Sequence, residues 1–186
     1  MTNIRSILAA LLVGVLIILG TSVYLYLTRA EVLYTDSLVG QQYRELSAPT
    51  GFLHTDGKTI TLGEYIGEKV ILLEFMRYGC PNCQRAFPHI VALHEKYKDS
   101  GLMIIGIHTP QFPHESVMEN VTKAMEAAKI TFPVVLDDVY GTWNAYGNSY
   151  WPRTLLIDLQ GTIVYDHIGG DGYSEIQENI EVLLPR

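Results

Sequence analysis

The chain has 186 residues, of which 48% are apolar, and a mean hydropathy of +0.14. This length and composition predict one globular domain together with a separate apolar segment. Twenty acidic residues outnumber thirteen basic ones, so the net charge is −7 at neutral pH. No cluster of Lys and Arg interrupts this acidic balance, which argues against a nucleic-acid partner.

The N-terminal end is the most apolar part of the chain. Residues 7–27 carry no charge, and a helix of this length spans about 30 Å, the thickness of the hydrocarbon core of a bilayer. Arg5 precedes this run, while Tyr24 and Tyr26 lie near its far end, where aromatic rings favour the headgroup region. We therefore expect residues 1–28 to be a single-pass anchor in the cell membrane.

A cleaved signal peptide is the alternative to an anchor. The apolar core of a signal peptide normally has about 7–15 residues and is followed by an A-x-A cleavage site. The run at residues 7–27 is longer, and no clear A-x-A site follows it. Both hypotheses place residues 30–186 on the extracytoplasmic side.

The next segment leads into the domain. Residues 29–49 lack sustained periodicity and reach Pro49 at their end, which predicts a linker before a domain at residues 50–186. Early in this domain, Asp56 and Gly57 lie between short extended pieces, a pattern typical of a hairpin turn. We therefore expect the domain to start with a small N-terminal β-hairpin.

The remaining elements alternate between strands and helices. Continuous apolar runs predict buried strands at residues 70–76, 102–109 and 132–137. Helical spacing predicts helices between and after them, and Gln160-Gly161 predicts the turn between the last two strands. The order β, α, β, α, β, α, β, β, α combines long crossovers, which need parallel neighbours, with one tight turn, which needs antiparallel ones. The predicted fold is therefore α/β, with a mixed central sheet covered by helices on both faces.

Both cysteines of the chain belong to one motif, Cys80-Pro81-Asn82-Cys83, between the first long strand and its helix. Sites in open α/β sheets form at the carboxyl ends of strands. A structural zinc site needs four ligands, and no second pair of ligands completes such a set. A structural disulfide gains little by closing so short a loop. A redox-active dithiol is therefore favoured.

The positions of the two thiols predict different roles. Cys80 lies just ahead of a helix, where unpaired N–H groups and the positive end of the helix dipole stabilise a thiolate. Pro81 suits the first helical turn because its missing N–H costs nothing there. Cys83 lies one turn further into the helix and is more shielded. We expect Cys80 to attack a substrate disulfide and Cys83 to attack the resulting mixed disulfide.

Further residues accompany the dithiol at recognisable spacings. Glu74 lies six residues before Cys80, Pro88 lies five residues after Cys83, and Trp151-Pro152 precedes a predicted strand. With these features, residues 50–184 resemble the thioredoxin superfamily, in particular the membrane-anchored TlpA/ResA-like thiol:disulfide oxidoreductases and the thioredoxin-like domain of DipZ-type proteins. The resemblance implies a thioredoxin-like fold with a central insert at about residues 109–132.

The resemblance also implies roles for individual residues. Glu74 resembles the buried acid that exchanges a proton with the second thiol, and an acid within an apolar strand is expected to have a raised pKa. Pro152 resembles the cis-proline that faces the dithiol and leaves backbone groups free to pair with an extended peptide. Trp151 then shields the dithiol, contacts substrates or packs in the core. The predicted catalytic residues are therefore Cys80, Cys83, Glu74 and Pro152, without cofactor-binding or metal-binding residues.

By this resemblance the chain is expected to be an extracytoplasmic thiol:disulfide oxidoreductase that reduces or exchanges disulfides of protein substrates, in cytochrome c maturation or disulfide repair. No nicotinamide or flavin motif is visible, so no cofactor is expected, and electrons would come from a membrane donor of the CcdA type. Two alternatives stay open. One is a net oxidant of exported proteins, because the same motif supports both directions. The other is a Cu(I) metallochaperone in which His108 or His167 joins the two thiolates.

Overall fold

A computed structural model describes residues 3–35 and 37–184 of the chain, with side chains described for residues 3, 11–26 and 37–184. The chain divides into two units, Met1–Leu38 and Val39–Arg186. The second unit contains the dithiol and every strand of the described residues.

The first unit contains helix α1 (Ile4–Thr35), which continues beyond residue 28 into the predicted linker. Within the described residues, no helix combines the length and the apolar character needed to cross a membrane. The side chains of residues 7–10 and 27, which belong to the predicted anchor, lie outside those described. The anchor therefore stays a prediction.

The second unit is built on one six-stranded sheet with the order β1-β4-β3-β2-β5-β6. Its strands are β1 (Gly51–Leu53), β2 (Val70–Met76), β3 (Leu102–His108), β4 (Val134–Leu136), β5 (Arg153–Ile157) and β6 (Ile163–Ile168). Its helices are α2 (Pro81–Tyr97), α3 (Met118–Ala127), α4 (Gly141–Ala145) and α5 (Tyr173–Leu183), with a 3₁₀ turn at Pro113–Ser116. Strands β2, β3 and β4 are parallel neighbours, whereas β1, β5 and β6 run antiparallel to their partners. The predicted mixed α/β sheet is confirmed.

Strand β2 lies at the centre of this sheet, between β3 and β5, and every one of its residues is buried. Leu72 faces the core cluster that contains Cys83 and Phe87 of α2. Phe75 instead packs edge-on against Trp143 of α4, with ring centroids 6.4 Å apart. The run of apolar residues without alternation thus reflects cover on both faces of the strand.

Helix α2 positions the dithiol. It begins at Pro81, directly after Cys80, and buries Cys83, Phe87 and Ile90 at helical spacing. Burying an aliphatic or aromatic side chain of this size contributes about 1.5–3 kcal/mol. This packing fixes the N-terminal end of α2 at the carboxyl end of β2, as the sequence predicted.

The predicted N-terminal β-hairpin is wrong. The turn itself forms, with φ of 52° at Asp56 and 75° at Gly57, but the described residues 54–69 contain no strand. Strand β1 instead pairs antiparallel with β4, with Phe52 opposite Val135. Because β3 covers only one side of β4, the other side is free, and β1 makes its ladder bonds there rather than with the chain that follows the turn.

The segment before β1 also belongs to the second unit, although it lies in the predicted linker. The N–H of Gly40 donates to the carbonyl of Ile163 in β6 (2.8 Å), and the N–H of Tyr43 donates to the carbonyl of Gly161 (2.7 Å). Further along, the N–H of Ser47 donates to the hydroxyl of Thr142 in α4 (3.0 Å). Residues 40–53, which we call the strap, therefore run from β6 at one edge of the sheet to the opposite edge, where their last three residues form β1 beside β4.

Candidate active site

The dithiol lies at the N-terminal end of α2. Cys80 is the residue before the helix, in an extended conformation (φ −86°, ψ 121°), and its side chain makes no capping hydrogen bond. Cys83 lies in the first turn and is fully buried, whereas Cys80 is 8% exposed. Both thiols are free. Cys83 is thus the more shielded of two buried thiols, in agreement with the prediction.

The peptide between Trp151 and Pro152 faces Cys80. This bond is cis, as predicted, and the thiol of Cys80 donates to the carbonyl of Trp151 at an Sγ–O distance of 3.7 Å. Strand β5 begins at the next residue and pairs with β2, which ends just before the dithiol loop. The structure thus brings Pro152 to the same end of the sheet as the dithiol.

Cys83 is surrounded by groups that oppose its ionisation. Burial raises the pKa of the Cys83 thiol, and a backbone hydrogen bond from Arg77 only partly lowers it again. Interactions with Cys80 and with Glu74 raise the pKa of Cys83 further. A thiol in this setting needs a base before it can act as a nucleophile.

Glu74 is the acid that the structure places beside Cys83. It is fully buried in the middle of β2, and this burial raises its pKa to about 8. The hydroxyl of Thr154, opposite Glu74 in β5, donates to its Oε2 at 2.6 Å and opposes that rise. Its other oxygen, Oε1, has no hydrogen-bond partner among the described residues. The raised pKa expected from the sequence is confirmed, whereas Thr154 gave no sequence signal.

The loop between β2 and Cys80 is held by the insert that contains the 3₁₀ turn and α3. Arg77 Nη1 donates to Glu115 Oε1 at 2.6 Å, and Glu115 is fully buried. The hydroxyl of Tyr78 donates to the carbonyl of His114 at 3.1 Å. A Cβ atom on Gly79 would lie 2.1 Å from Glu115 Oε1, so only glycine fits there without movement. The sequence analysis did not identify this brace, because its partners are 38 residues apart.

A second contact to the dithiol loop comes from the β6–α5 connection. A Cβ atom on Gly170 would lie 2.7 Å from the carbonyl oxygen of Asn82, in the middle of the motif. The N–H of Gly169 donates to the carbonyl of Pro152 at 3.0 Å. The dense glycines of residues 169–172 were the one available signal for this close backbone contact.

Trp151 is partly buried and contributes to the wall beside Cys80. Its ring centroid lies 4.3 Å from that of Trp143, and the guanidinium of Arg77 lies 5.4 Å from its ring centroid. Its indole nitrogen has no hydrogen-bond partner in the described part of the chain. Of the roles expected from the sequence, the structure shows packing against the core.

The histidines considered for copper are placed differently from each other. His108 is fully buried in β3 and stacks on Tyr78 with ring centroids 5.6 Å apart, and burial lowers its pKa to about 4. His167 Nε2 lies 3.0 Å from Asp171 Oδ1. Among the residues that the structure describes, no three His, Cys, Asp or Glu side chains form a group able to hold a metal ion. The geometry therefore gives the copper hypothesis no ligand set.

Comparison with known proteins decides the family. The sequence profile of the Redoxin family matches residues 39–180. The chain belongs to the Redoxin family.

Two curated relatives match most of this chain. Protein DipZ of Mycobacterium tuberculosis is 43% identical over 141 residues, which cover 75% of this chain and 20% of DipZ. The thiol-disulfide oxidoreductase ResA of Halalkalibacterium halodurans is 33% identical over 130 residues, which cover 70% of each chain. The chain thus spans only about a fifth of the length of DipZ but most of ResA.

Solved structures agree with the fold. The thioredoxin domain of a thiol-disulfide oxidoreductase from Bacteroides vulgatus superposes with a TM-score of 0.62 at 25% identity, covering 76% of this chain and 97% of that one. The chain therefore has a thioredoxin-like fold, and its relative ResA is named as a thiol-disulfide oxidoreductase.

Proposed function

We propose that this Redoxin-family protein reduces or exchanges disulfides of extracytoplasmic proteins, with Cys80 as the attacking thiol and Cys83 as the resolving thiol. The observation that carries this proposal is the contrast between the two sulfurs. Cys80 lies at a helix N-terminus beside the Trp151 carbonyl, whereas Cys83 is buried beside a protonatable acid, Glu74.

The first step forms a mixed disulfide. The thiolate of Cys80 attacks one sulfur of the substrate disulfide, the substrate S–S bond breaks, and the substrate's other sulfur leaves as a thiolate that takes a proton from solvent. The backbone beside Pro152 lies next to Cys80, where an extended substrate segment can pair with it.

The second step releases the substrate. The carboxylate form of Glu74 takes the proton of Cys83, and the Cys83 thiolate attacks Cys80 in the mixed disulfide. The bond between Cys80 and the substrate breaks, and the second substrate sulfur leaves. The substrate has then gained two electrons, and the protein holds a Cys80–Cys83 disulfide. A base with a pKa near 8 is suited to this transfer at neutral pH.

The cellular setting of the proposal rests on the apolar residues 7–27. We place the chain at the cell membrane as a single-pass protein with residues 39–186 on the extracytoplasmic side. A membrane electron donor of the CcdA type would reduce the Cys80–Cys83 disulfide again, and cytochrome c maturation or disulfide repair would use the electrons.

Trapping of mixed disulfides tests the order of attack. Cys83→Ser should accumulate substrate proteins covalently bound to Cys80, because the resolving thiol is gone, whereas Cys80→Ser should trap almost none. Non-reducing electrophoresis followed by mass spectrometry of the captured partners measures both. Equal trapping by the two variants would contradict the assigned roles, and a Cys80→Ser/Cys83→Ser double variant is the control for non-covalent association.

A further inference from the structure

Two charged side chains lie next to the dithiol loop and have no part in the two steps above. Arg77 and Glu115 form an ion pair with a nitrogen–oxygen distance of 2.6 Å, with side chains 11% and 0% exposed. The N–H groups of Gln111 and Phe112 donate to the second carboxylate oxygen of Glu115, at 2.8 and 3.1 Å. Although burial raises the pKa of Glu115, these bonds and Arg77 together lower it, so Glu115 is ionised at neutral pH.

Both charges adjoin Gly79, the residue directly before Cys80. A Cβ atom on Gly79, the residue directly before Cys80, would be 2.1 Å from Glu115 Oε1 and 3.0 Å from Arg77 Nη1. The Arg77 guanidinium also lies over the ring of Trp151, whose carbonyl accepts the hydrogen bond from Cys80. The pair therefore adjoins two residues that lie next to the Cys80 thiol, namely Gly79 before it in the chain and Trp151 across from it.

Most other ionisable groups that surround the pair are neutral at neutral pH. Burial lowers the pKa of His108 in β3 to about 4, and it raises the pKa of Glu74 in β2 to about 8. Burial also raises the pKa of Tyr78 and of Cys83. None of these side chains therefore supplies a full charge near Cys80 before the reaction begins.

Two more ionisable residues complete the surroundings. His114 lies on the 3₁₀ turn, and its ring faces Phe112 and Tyr78. Asp138 follows β4, interacts with His108 and accepts a hydrogen bond from the hydroxyl of Thr50. The Arg77–Glu115 pair is thus the pair of opposite charges that adjoins Gly79, the residue before Cys80.

We propose that Glu115 and Arg77 are positioning residues that set the reactivity of Cys80, with the Glu115 carboxylate cancelling the attraction of the Arg77 guanidinium for the Cys80 thiolate. This proposal rests on the assignment of Cys80 as the attacking thiol. An uncancelled cation would favour the thiolate, make the sulfur a weaker nucleophile and stabilise the reduced protein. With the pair intact, the sulfur is a stronger nucleophile and the protein a stronger reductant. The insert would then act by delivering Glu115 to the dithiol loop.

Charge cancellation predicts opposite effects for the two partners. Glu115→Gln leaves Arg77 uncompensated, and the pH at which half of the maximal Cys80 alkylation rate is reached should fall by about 0.5–1 unit. Arg77→Gln instead leaves the Glu115 carboxylate uncompensated, and the pH of half-maximal alkylation should rise by a similar amount. In the Arg77→Gln/Glu115→Gln double variant, the pH of half-maximal alkylation should return to within about 0.3 unit of its value in the unmodified protein. Arg77→Lys keeps the positive charge, so its pH of half-maximal alkylation should stay within the same range.

The measurement uses the reduced full-length protein and iodoacetamide, with the alkylated cysteine identified by mass spectrometry. Equilibration with glutathione gives a second readout. At a pH at least one unit above the alkylation midpoint of the unmodified protein, Glu115→Gln should shift the equilibrium toward the reduced protein by about 3–10-fold, which corresponds to about 15–30 mV. Glu119→Gln is the matched control, because it breaks an exposed ion pair with Lys123 on the same insert and should change neither readout.

Thermal unfolding of each variant separates this role from a purely structural one. Shifts of the alkylation pH in the same direction for both single variants, or loss of stability without any shift, would overturn the proposal. Alkylation at Cys83 instead of Cys80 in the unmodified protein would overturn the assigned order of attack. That result can be told apart from the two results that would overturn charge cancellation, because it needs no variant of Arg77 or Glu115.

Discussion

At the scale of single residues, Glu74 links the buried thiol to proton transfer. It is an acid within an apolar strand, and Thr154 supplies its one described side-chain hydrogen bond. Because burial raises its pKa to about 8, most of the Glu74 population carries a proton at neutral pH. The ionised fraction grows as the pH rises toward 8, and with it the capacity to accept the Cys83 proton.

Replacement of this acid should slow one step and spare the other. Positioned bases typically contribute about 10²–10⁴-fold, so Glu74→Gln should slow the attack of Cys83 by about 100-fold. Rapid mixing with an aromatic disulfide resolves the steps, because the first aromatic thiolate reports on Cys80 and the second on Cys83. In the unmodified protein the second phase should accelerate up to about pH 8, and the variant should lack this inflection.

The outcome that contradicts this role is equal slowing of both phases. Glu119→Gln serves as the control, since Glu119 is exposed on α3 and its carboxylate accepts a hydrogen bond from Lys123 at 2.6 Å. Its two phases should match those of the unmodified protein.

At the scale of elements, sequence patterns correctly predicted those helices, strands and turns that depend on interactions between residues close together in the chain. The unbroken apolar run of β2, Pro81 at the first position of α2 and Gly161 in the β5–β6 turn each act within a few residues. The prediction of an N-terminal hairpin was wrong because β1 pairs with β4, about 80 residues away along the chain. The contacts of Glu115 with Arg77 and of Gly170 with Asn82 likewise join residues that are far apart in sequence. The dithiol itself was predictable, whereas the parts that hold it came from tertiary packing.

The β6–α5 connection should be sensitive to a single added carbon. Gly170→Ala places a Cβ 2.7 Å from the Asn82 carbonyl oxygen, and such overpacking typically costs about 1–3 kcal/mol. The free energy of unfolding should fall by that amount, and the rate of insulin reduction should fall because the dithiol turn is displaced. Chemical denaturation and the turbidity assay measure the two effects.

Gly63→Ala is the matched control for this element. Its Cβ would meet the nearest atoms at 3.4 and 3.5 Å, which is ordinary contact, so the free energy of unfolding should change by less than about 0.5 kcal/mol. Equal effects of the two alanines would show that Gly170 does not brace the motif.

At the scale of the whole molecule, the buried acid makes stability depend on pH. The folded protein holds the Glu74 proton more tightly than the unfolded chain, because its pKa rises from 4.5 to about 8. The stability contributed by this group is therefore full below about pH 4.5 and is lost as the pH rises through 8. Glu74→Gln stays neutral throughout this range.

The stability of Glu74→Gln relative to the unmodified protein should therefore increase from pH 5 to pH 8.5. Urea unfolding of both reduced proteins at several pH values measures the difference. A difference that stays constant with pH would show that Glu74 ionises freely in the folded state.

The strap described above has a consequence for how the protein meets its substrates. Residues 40–43 lie along the start of β6, and the opposite edge strand, β1, is only three residues long. Exposed strand edges can pair with other chains. Because the strap covers part of one edge and the other edge offers only three residues, a protein substrate held through Cys80, as proposed above, has little strand edge to pair with and is released once that disulfide is cut.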